Sequence, residues 1–382
     1  MNIAIVHDWL NQNGGAEDVL DELNAMFPSA PTYTSIYAPD MMPAHYRECD
    51  IRTLWIDKLP GIHRHHQPYL PFYPMAWGGL DLSEYDVVLS NKSGFCHGFQ
   101  KGENTRHICY CLAPTRYVWQ LDAYLQREGM GRLANMALRP MMGWLKRWDY
   151  AAAQRVDDFI AISTEIQERI RHYYDRDSVI IYPPVDTERF NVGEVEVGDY
   201  FLVVSRLIPY KRIDLAVQAA NRLNVPLKIG GTGRDLERLR AMAGPTVEFL
   251  GYVADDDLPR LMAGCRAFLF PGLEDFGITP VQAQAAGRPV IAYGGGGALD
   301  TVVPGVTGEH FNDLTVDSLA DVMAGFDAGS YAPDALRAHA ARFDRAIFIE
   351  QLREFIAANS SPRIHRADSA RINGQHRRNQ AD

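Results

Sequence analysis

Residues 267–282 read Ala267-Phe-Leu-Phe-Pro-Gly-Leu-Glu274-Asp-Phe-Gly277-Ile-Thr279-Pro280-Val-Gln282. The apolar run predicts a buried strand, and the loop after it leads into a helix that is predicted to end at Gly287. Thr279 is the predicted N-cap of this helix and Pro280 its first residue. A strand, a glycine loop and a helix in this order form the unit of a parallel α/β sheet. The start of the helix offers unpaired N–H groups and a positive dipole end, which suit a diphosphate.

The same alternation extends over both halves of the chain. Apolar runs that predict strands lie at 200–204, 227–229, 247–250, 267–270 and 290–292 in the second half, and at 3–6, 87–89, 106–111 and 159–162 in the first half. Residues 164–167 (Thr-Glu-Ile-Gln) predict a capping box that begins a helix. We therefore expect an α/β protein with two Rossmann-like parallel-sheet domains facing a central cleft, where ligands bind beyond the carboxyl ends of the strands.

A proline-rich stretch predicts the boundary between these domains. Two prolines in Tyr182-Pro-Pro-Val-Asp186 disfavour helix and central strand, so we expect a linker near 183–198. The predicted domains are 1–190 and 191–342, and a helix predicted at 343–358 is expected to pack back on the first domain. Residues 359–382 are rich in Ser, Arg, Asn and Gln and are predicted to be disordered.

Charge and composition exclude several classes of protein. The 382 residues carry 38 Lys and Arg against 48 Asp and Glu, a formal net charge of −10, which disfavours a nucleic-acid binder. The five cysteines lack zinc or disulfide spacing, and we expect Cys109 and Cys111 to be buried, inert thiols on one face of a strand. Because the N-terminus has no signal-peptide pattern and no segment approaches the roughly 20 apolar residues of a membrane span, we expect a cytoplasmic protein.

Charged and glycine-rich segments follow several of the predicted strands. Arg206 and Lys211 follow the strand at 200–204 and could neutralise a departing nucleoside diphosphate, with solvated surface cations as the alternative. The glycines at 14–15 and 294–297 also follow strands. Such loops indicate close approach of the backbone to a ligand, with a flexible turn as the alternative.

Taken together, these segments resemble glycosyltransferase family 4, retaining enzymes of the GT-B fold. The resemblance covers nearly the whole chain apart from the tail. Its motifs are Gly14-Gly-Ala-Glu17, His107-Ile-Cys-Tyr-Cys-Leu-Ala-Pro-Thr-Arg-Tyr-Val-Trp119, Ile181-Tyr-Pro-Pro-Val-Asp186, Ser205-Arg206 with Lys211-Arg-Ile-Asp214, and residues 274–285 with Arg288-Pro-Val-Ile-Ala-Tyr-Gly294. The set is most similar to bacterial mannosyltransferases of surface-polysaccharide assembly.

This resemblance implies a role for each matching residue. Arg206 and Lys211 would hold the donor diphosphate and Glu274 would contact the transferred sugar, which makes these three the catalytic set. The implied donor-binding residues are Gly14, Gly15, Tyr252, Asp275, Phe276, Gly277, Ile278, Thr279 and Gln282. No metal or cofactor is implied, since arginine, lysine and a helix N-terminus stabilise the charge. Transfer would occur at the front face of the sugar, with the leaving phosphate helping to deprotonate the acceptor.

The implied substrates are a nucleotide-sugar donor and a glycan acceptor. GDP-mannose is the favoured donor, a UDP-sugar stays open, and the acceptor would be a glycan or a polyprenyl-diphosphate-linked oligosaccharide. Basic residues interleaved with Met and Trp at 127–147 suit an anionic membrane on its inner face, with a core helix interrupted at Pro140 as the alternative. His63-Arg-His65-His66 does not have zinc-site spacing and is interpreted as a polar loop.

Two positions depart from the family pattern. Gln282 replaces a glutamate that grips the donor ribose, and it could also form a capping box with Thr279. Leu112 replaces a first-domain histidine near the sugar, and His97 is either a compensating group or a structural histidine. These departures keep open the hypothesis of a catalytically silent nucleotide-sugar binder. A second rival hypothesis is a sugar-nucleotide epimerase on the same architecture, which would need acid–base residues around the sugar.

Overall fold

The computed structural model describes residues 1–120, 132–193 and 195–360, with the backbone alone at 132–138. The strands of the first half are β1 (Ile3–His7), β2 (Thr32–Thr34), β3 (Ile51–Thr53), β4 (Val87–Lys92), β5 (Arg106–Cys111), β6 (Asp158–Ala161) and β7 (Ser178–Ile180). They form one parallel sheet in the order β3-β2-β1-β4-β5-β6-β7.

A second parallel sheet follows in the other half. Its strands are β8 (Phe201–Val204), β9 (Leu227–Gly230), β10 (Val247–Gly251), β11 (Ala267–Phe270), β12 (Val290–Tyr293) and β13 (Gly308–Phe311). Their order is β10-β9-β8-β11-β12-β13. The predicted α/β class with two parallel sheets is therefore confirmed, and each of the nine predicted strands is present within one or two residues of its predicted bounds, except that β4 extends to Lys92.

Helices connect the strands of both sheets. The α-helices are α1 (Gly15–Met26), α2 (Tyr73–Gly78), α3 (Arg116–Trp119), α4 (Arg132–Gln154), α5 (Thr164–Tyr174), α6 (Thr187–Phe190), α7 (Ile213–Leu223), α8 (Leu236–Met242), α9 (Leu258–Ala263), α10 (Ile278–Ala285), α11 (Ala298–Thr301), α12 (Val316–Ala324), α13 (Pro333–Ala340) and α14 (Arg345–Asn359). Short 3-10 turns lie at Ala44–Glu48, Trp55–Lys58, Gln67–Phe72, Cys96–Gly98, Pro209–Lys211, Ala328–Ser330 and Ala341–Phe343.

Apolar side chains on both faces of the first sheet explain why its central strands read as continuous apolar runs. In β1, Ala4 and Val6 pack in one core with side chains of α2 and α4. Ile3 and Ile5 face the opposite way and pack with side chains of α1 and α14. Cys109 and Cys111 are both buried free thiols in this second core, as predicted.

The two domains meet in an apolar cluster of aromatic rings. Tyr182 stacks on Phe276 with ring centroids 5.8 Å apart, and Phe343 lies 4.9 Å from Tyr182. Tyr182 belongs to the segment between the sheets, whereas Phe276 follows β11. Side chains of both domains therefore share one buried core.

The chain crosses between the domains a second time before α14. The backbone N–H of Val185 donates to the carbonyl of Phe343, and the N–H of Arg345 donates back to the carbonyl of Val185, each at 3.0 Å. The ring of Phe348 then lies 5.6 Å from that of Tyr110 in β5. The last helix is thus covalently attached to the second domain and packed on the first.

Two local predictions are wrong. Thr164 does not cap α5, because the Oγ of Ser163 accepts the N–H of Ile166 at 3.2 Å and makes Ser163 the N-cap. Pro140 does not interrupt α4. Pro140 is exposed, and burial of Met142 and Leu145 stabilises the helix enough to offset the hydrogen bond that a proline lacks.

Two predictions concern residues that the structure describes only in part. The predicted disordered tail at 359–382 lies outside the described residues beyond Ser360, and the basic segment at 127–147 lies outside them up to residue 131. Of the helices that the structure does describe, none has the length and apolar character needed to cross a bilayer.

Because two histidines of the first domain are buried, we expect the protein to lose stability in acid. His107 accepts or donates a hydrogen bond with the Ser90 hydroxyl at 2.8 Å, and His97 contacts the carbonyl of Asp149 at 3.3 Å. Burial lowers the pKa of both imidazoles well below the ordinary value of 6.5. The unfolded chain therefore takes up protons below about pH 6.5 that the folded protein does not.

We expect the free energy of unfolding to fall below pH 6.5 by up to about 1.4 kcal/mol per pH unit for each of these histidines. Urea unfolding at pH 7.5 and pH 5.5 measures the change. His107→Gln should show a shallower pH dependence than the wild type, and His65→Gln, at an exposed site, is the control. Equal slopes for all three proteins would contradict the prediction.

Candidate active site

A cavity of about 580 Å³ lies between the two domains. The first domain contributes Trp9, Gln12, Asn13, Gly14, Gly15, Ala16, Glu17, Ser93, Leu112, Ala113, Arg116, Tyr117 and Ile162. The linker contributes Pro183, and the second domain contributes Val204, Ser205, Arg206, Tyr210, Lys211 and residues 274–279. The cavity lies at the carboxyl ends of β1, β4, β5, β8 and β11, where a parallel sheet is expected to bind its ligand.

Cations and an acid from two strand ends meet on the second-domain wall of the cavity. Arg206 follows β8 and is exposed to the cavity, while Lys211 ends the short 3-10 turn after it. Lys211 Nζ forms an ion pair with Glu274 Oε2, and their side chains are only 15% and 20% exposed. The three residues of the predicted catalytic set therefore line one wall together.

Helix α10 starts at this wall. Gly277 is its N-cap and has φ of 101°, a left-handed conformation that glycine adopts without a steric penalty. The helix begins at Ile278, so Thr279 is its second residue and Pro280 its third, and no side chain caps it. The predicted Thr279 cap, the placement of Pro280 as first residue and the capping box with Gln282 are wrong. Pro280 is tolerated because the first four N–H groups of a helix have no intrahelical partner.

The first domain presents a second helix start to the same cavity. Gly14 and Gly15 line the cavity where α1 begins. Behind them, the carboxylate of Glu17 is buried and lies 3.3 Å from His7 Nε2. Two helix N-termini, one from each domain, therefore approach the cavity and favour an anionic ligand.

A buried polar network supports the turn that carries Leu112, Ala113 and Arg116 into the cavity. The carboxylate of Asp149 accepts hydrogen bonds from Thr115 Oγ1 at 2.7 Å, Trp119 Nε1 at 2.6 Å and Tyr174 Oη at 2.8 Å. The fully buried Lys92 donates to Thr115 Oγ1 and to the carbonyl of Ala113. A satisfied network of this kind fixes the local backbone.

Other predicted residues lie elsewhere. Tyr252 is 75% exposed, and neither it nor the half-buried Gln282 belongs to the cavity lining. His97 is buried beside Asp149, 3.5 Å from its carboxylate, and is a structural histidine that does not compensate for Leu112. Leu112 itself lines the cavity.

The four-glycine loop contacts protein backbone, not the cavity. The N–H of Gly297 donates to the carbonyl of Glu274 at 2.9 Å. A side chain at Gly297 would meet the Cα of Phe276 at 2.2 Å, so only glycine allows this approach. The expected close backbone approach exists, but its partner is the loop that carries the acid and not a ligand.

Two family models match adjacent parts of the chain. The model described as "Glycosyltransferase Family 4" matches residues 13–189, and the one described as "Glycosyl transferases group 1" matches residues 184–332. Their junction falls in the segment between the two sheets. Residues 13–189 therefore form a glycosyltransferase family 4 domain, and residues 184–332 form a glycosyl transferases group 1 domain.

Relatives and a solved structure agree with this assignment. The GDP-mannose-dependent alpha-(1-6)-phosphatidylinositol monomannoside mannosyltransferase of Mycobacterium tuberculosis is 35% identical over 171 residues, which cover 37% of this chain and 44% of that protein. The match thus spans less than half of this relative. Human alpha-1,3/1,6-mannosyltransferase ALG2 is 24% identical over 80% of this chain and 83% of its own length. The crystal structure of Anabaena Alr3699/HepE in complex with UDP superposes with a TM-score of 0.71 at 18% identity and covers 94% of this chain and all of that chain, which confirms the GT-B fold.

Several residues of the candidate site were missed by sequence reasoning. Arg116 and Trp9 line the cavity, and Arg169 of α5 bonds to Asp275. Arg116 lies inside the motif 107–119 quoted above, so that motif could have been used to predict it as a site residue. Arg169 is one of several charges on an amphipathic helix, and no local pattern distinguishes it.

Proposed function

We propose that this glycosyltransferase transfers mannose from GDP-mannose, with retention of configuration, to a lipid-linked glycan acceptor. The observation that carries the proposal is the convergence of Arg206, Lys211, Glu274 and the start of α10 on one wall of the cavity between the domains. These groups suit a sugar diphosphate, since two cations and free N–H groups can neutralise its phosphates while an acid contacts the sugar.

Each residue then has a defined role in the proposed reaction. Arg206, Lys211 and the N–H groups at the start of α10 hold the diphosphate and stabilise the charge that develops as the bond from the anomeric carbon to the phosphate oxygen breaks. The acceptor hydroxyl attacks the anomeric carbon from the same face, and the departing phosphate oxygen takes its proton. Glu274 holds the sugar. Leu112 has no group that could take this proton, so the phosphate oxygen is its proposed acceptor.

The proposed identities of the donor and the acceptor are based on the relatives. The M. tuberculosis relative is named as GDP-mannose-dependent and as acting on a phosphatidylinositol mannoside, which supports mannose, GDP and a lipid acceptor. The Anabaena structure contains UDP, so a UDP-sugar is the alternative donor on the same chemistry. No metal or cofactor is part of the proposed reaction.

Turnover of defined donors tests this proposal. Purified protein is incubated with GDP-mannose or UDP-glucose, with and without a polyprenyl-diphosphate-linked acceptor, and the released nucleotide is measured. We expect acceptor-dependent release of GDP and an α-linked product by NMR. Donor binding without any release would support the silent-binder hypothesis, and an altered sugar without acceptor would support the epimerase hypothesis.

The exposed face of α4 supports the proposal that the protein acts at the cytoplasmic face of the membrane. Trp144 is 45% exposed on the same helix as the exposed Lys146 and Arg147, whereas Asp149 is buried. Aromatic and basic side chains together suit an anionic lipid surface. We expect the protein to sediment with anionic vesicles and not with phosphatidylcholine vesicles, and Trp144→Ala to weaken sedimentation.

Gln282→Glu provides a test of nucleotide binding. Gln282 lies one helical turn beyond Ile278 and Thr279 on α10, so its side chain continues the helix face that lines the cavity. Because the capping role is excluded, the remaining proposed role is contact with the donor ribose. A carboxylate accepts hydrogen bonds from hydroxyl groups more strongly than an amide does. We expect KM for the donor to fall about 5- to 10-fold, a change of about 1 kcal/mol.

Steady-state kinetics with varied donor concentration measure this change. Gln218→Glu, an exposed position on α7, is the matched control and should leave KM unchanged. An unchanged KM in Gln282→Glu would exclude ribose contact at this position.

A further inference from the structure

Asp275, the neighbour of Glu274 in the chain, is held by two arginines of the opposite domain. Arg169 Nη1 lies 2.8 Å from Asp275 Oδ1, and Arg116 Nη2 forms an ion pair with Asp275 Oδ2. The side chains of Asp275 and Arg169 are only 12% and 15% exposed. Arg169 also pairs with Glu165 at 2.7 Å, which balances the second positive charge. Partial burial makes the pair between Arg169 and Asp275 stronger than a surface salt bridge, whereas the Arg116 side chain is 41% exposed.

Further hydrogen bonds between the domains lie beside this ion-pair cluster. Ser163 Oγ donates to the carbonyl of Asp275 at 2.5 Å. Thr164, the next residue, donates from its N–H to Asp300 Oδ2 at 2.9 Å and from its hydroxyl to Asp300 Oδ1 at 2.5 Å. The start of α5 therefore bonds to the second domain at two places, the loop after β11 and the helix α11.

These contacts limit the orientation of Glu274, the acid that lines the cavity. Because Glu274 and Asp275 are consecutive, holding both the carboxylate and the carbonyl of Asp275 limits the conformations that the backbone of Glu274 can take. Glu274 lines the cavity and pairs with Lys211, whereas the Asp275 carboxylate pairs with the facing domain. The loop after β11 thus connects the contacts that close the cleft with the orientation of Glu274, the proposed sugar-binding acid.

We propose that Arg169, together with Arg116, is a positioning residue that acts through Asp275 to hold the two domains closed and to fix Glu274 toward the sugar. The inference rests on the proposed transferase function. Arg169 does not line the cavity, so it acts without touching substrate. Besides the core that the two domains share, each domain has its own sheet and a core of its own, so loss of the ion-pair cluster should loosen the cleft without unfolding either domain.

Arg169→Gln and Asp275→Asn test the proposal in the full-length protein. We expect each variant to lower kcat about tenfold, and the double variant to be no slower than the slower single variant, since residues of one network are not additive. Small-angle X-ray scattering should show a larger radius of gyration in each variant than in the wild type. Arg171→Gln, which removes an exposed arginine two residues further along α5, should match the wild type in both measurements.

A conservative replacement separates positioning from general stability. Arg169→Lys keeps the charge but loses the two-pronged contact with Asp275 and Glu165, and we expect its kcat to lie between those of the wild type and Arg169→Gln. Wild-type kcat and radius of gyration in Arg169→Gln would overturn the proposal, as would losses that multiply in the double variant. A wild type without activity on any nucleotide sugar would refute the proposed function. Scattering does not depend on turnover, so the radius of gyration would still test whether the ion-pair cluster holds the domains closed.

Discussion

Glu274→Ala is expected to lower kcat by roughly 10²–10⁴-fold while the protein stays folded. The Glu274 side chain is the acid that lines the cavity beside Lys211, and it is held within ion-pair distance of that ammonium. Removing it leaves the sugar without its contact and leaves Lys211 without its partner. Nucleotide release with GDP-mannose and acceptor measures the loss, and thermal unfolding measures whether the fold is retained.

A matched carboxylate serves as control for this variant. Glu237 is an exposed acid on α8 of the same domain, and Glu237→Ala should keep the wild-type rate. Glu274→Gln, which keeps size and hydrogen bonding but removes the charge, should be more active than Glu274→Ala. A rate in Glu274→Ala within a few-fold of the wild type would remove Glu274 from the catalytic set.

Lys211→Met is expected to lower kcat by roughly 10²–10³-fold, the loss typical when one group that stabilises developing charge is removed. Methionine retains much of the length of the aliphatic chain, so packing against the loop is largely kept. The ammonium is the group that would neutralise the departing diphosphate, since it lies near Glu274 and the start of α10 on the same wall. Kinetics with varied donor separate the effect on kcat from that on KM.

Lys228 provides the comparison for Lys211. It lies on β9 and pairs with Glu248 at 3.5 Å, away from the cavity lining, and Lys228→Met should turn over at the wild-type rate. A loss confined to KM in Lys211→Met would assign the lysine to donor binding alone. Equal rates for the two lysine variants would argue against charge stabilisation by Lys211.

The strands with continuous apolar character were predictable from the sequence, and those without it were not. Residues 106–111 and 267–270 were predicted with their observed bounds because both faces of these strands are buried. In contrast, β2 is only Thr-Tyr-Thr and β13 is Gly-Glu-His-Phe. Strands of three or four residues with polar side chains gain their pairing from neighbours that are distant in sequence, so no local pattern marks them.

The residues that form the site could be predicted from the sequence better than the partners that these residues contact. Arg206, Lys211 and Glu274 share one wall because the carboxyl ends of parallel strands meet at one edge of the sheet, which the alternation of strands and helices already implied. The cap of α10 was assigned to Thr279 because Thr is a common N-cap, but the left-handed Gly277, two residues earlier, is the N-cap. The partners of Asp275 lie more than 100 residues away, and only the folded chain brings them together.

The position of α14 determines how this enzyme can be recombined with its relatives. Since that helix packs Phe348 against Tyr110 of the first domain, a hybrid that takes everything after the linker from another glycosyltransferase would also replace part of the first domain's core. A hybrid designed to change the donor should exchange residues 191–342 and keep the native residues from 343 onward. Such a chimera preserves the packing of Phe348, Leu352 and Ile356 on their own partners, and only the lobe that faces the nucleotide is foreign.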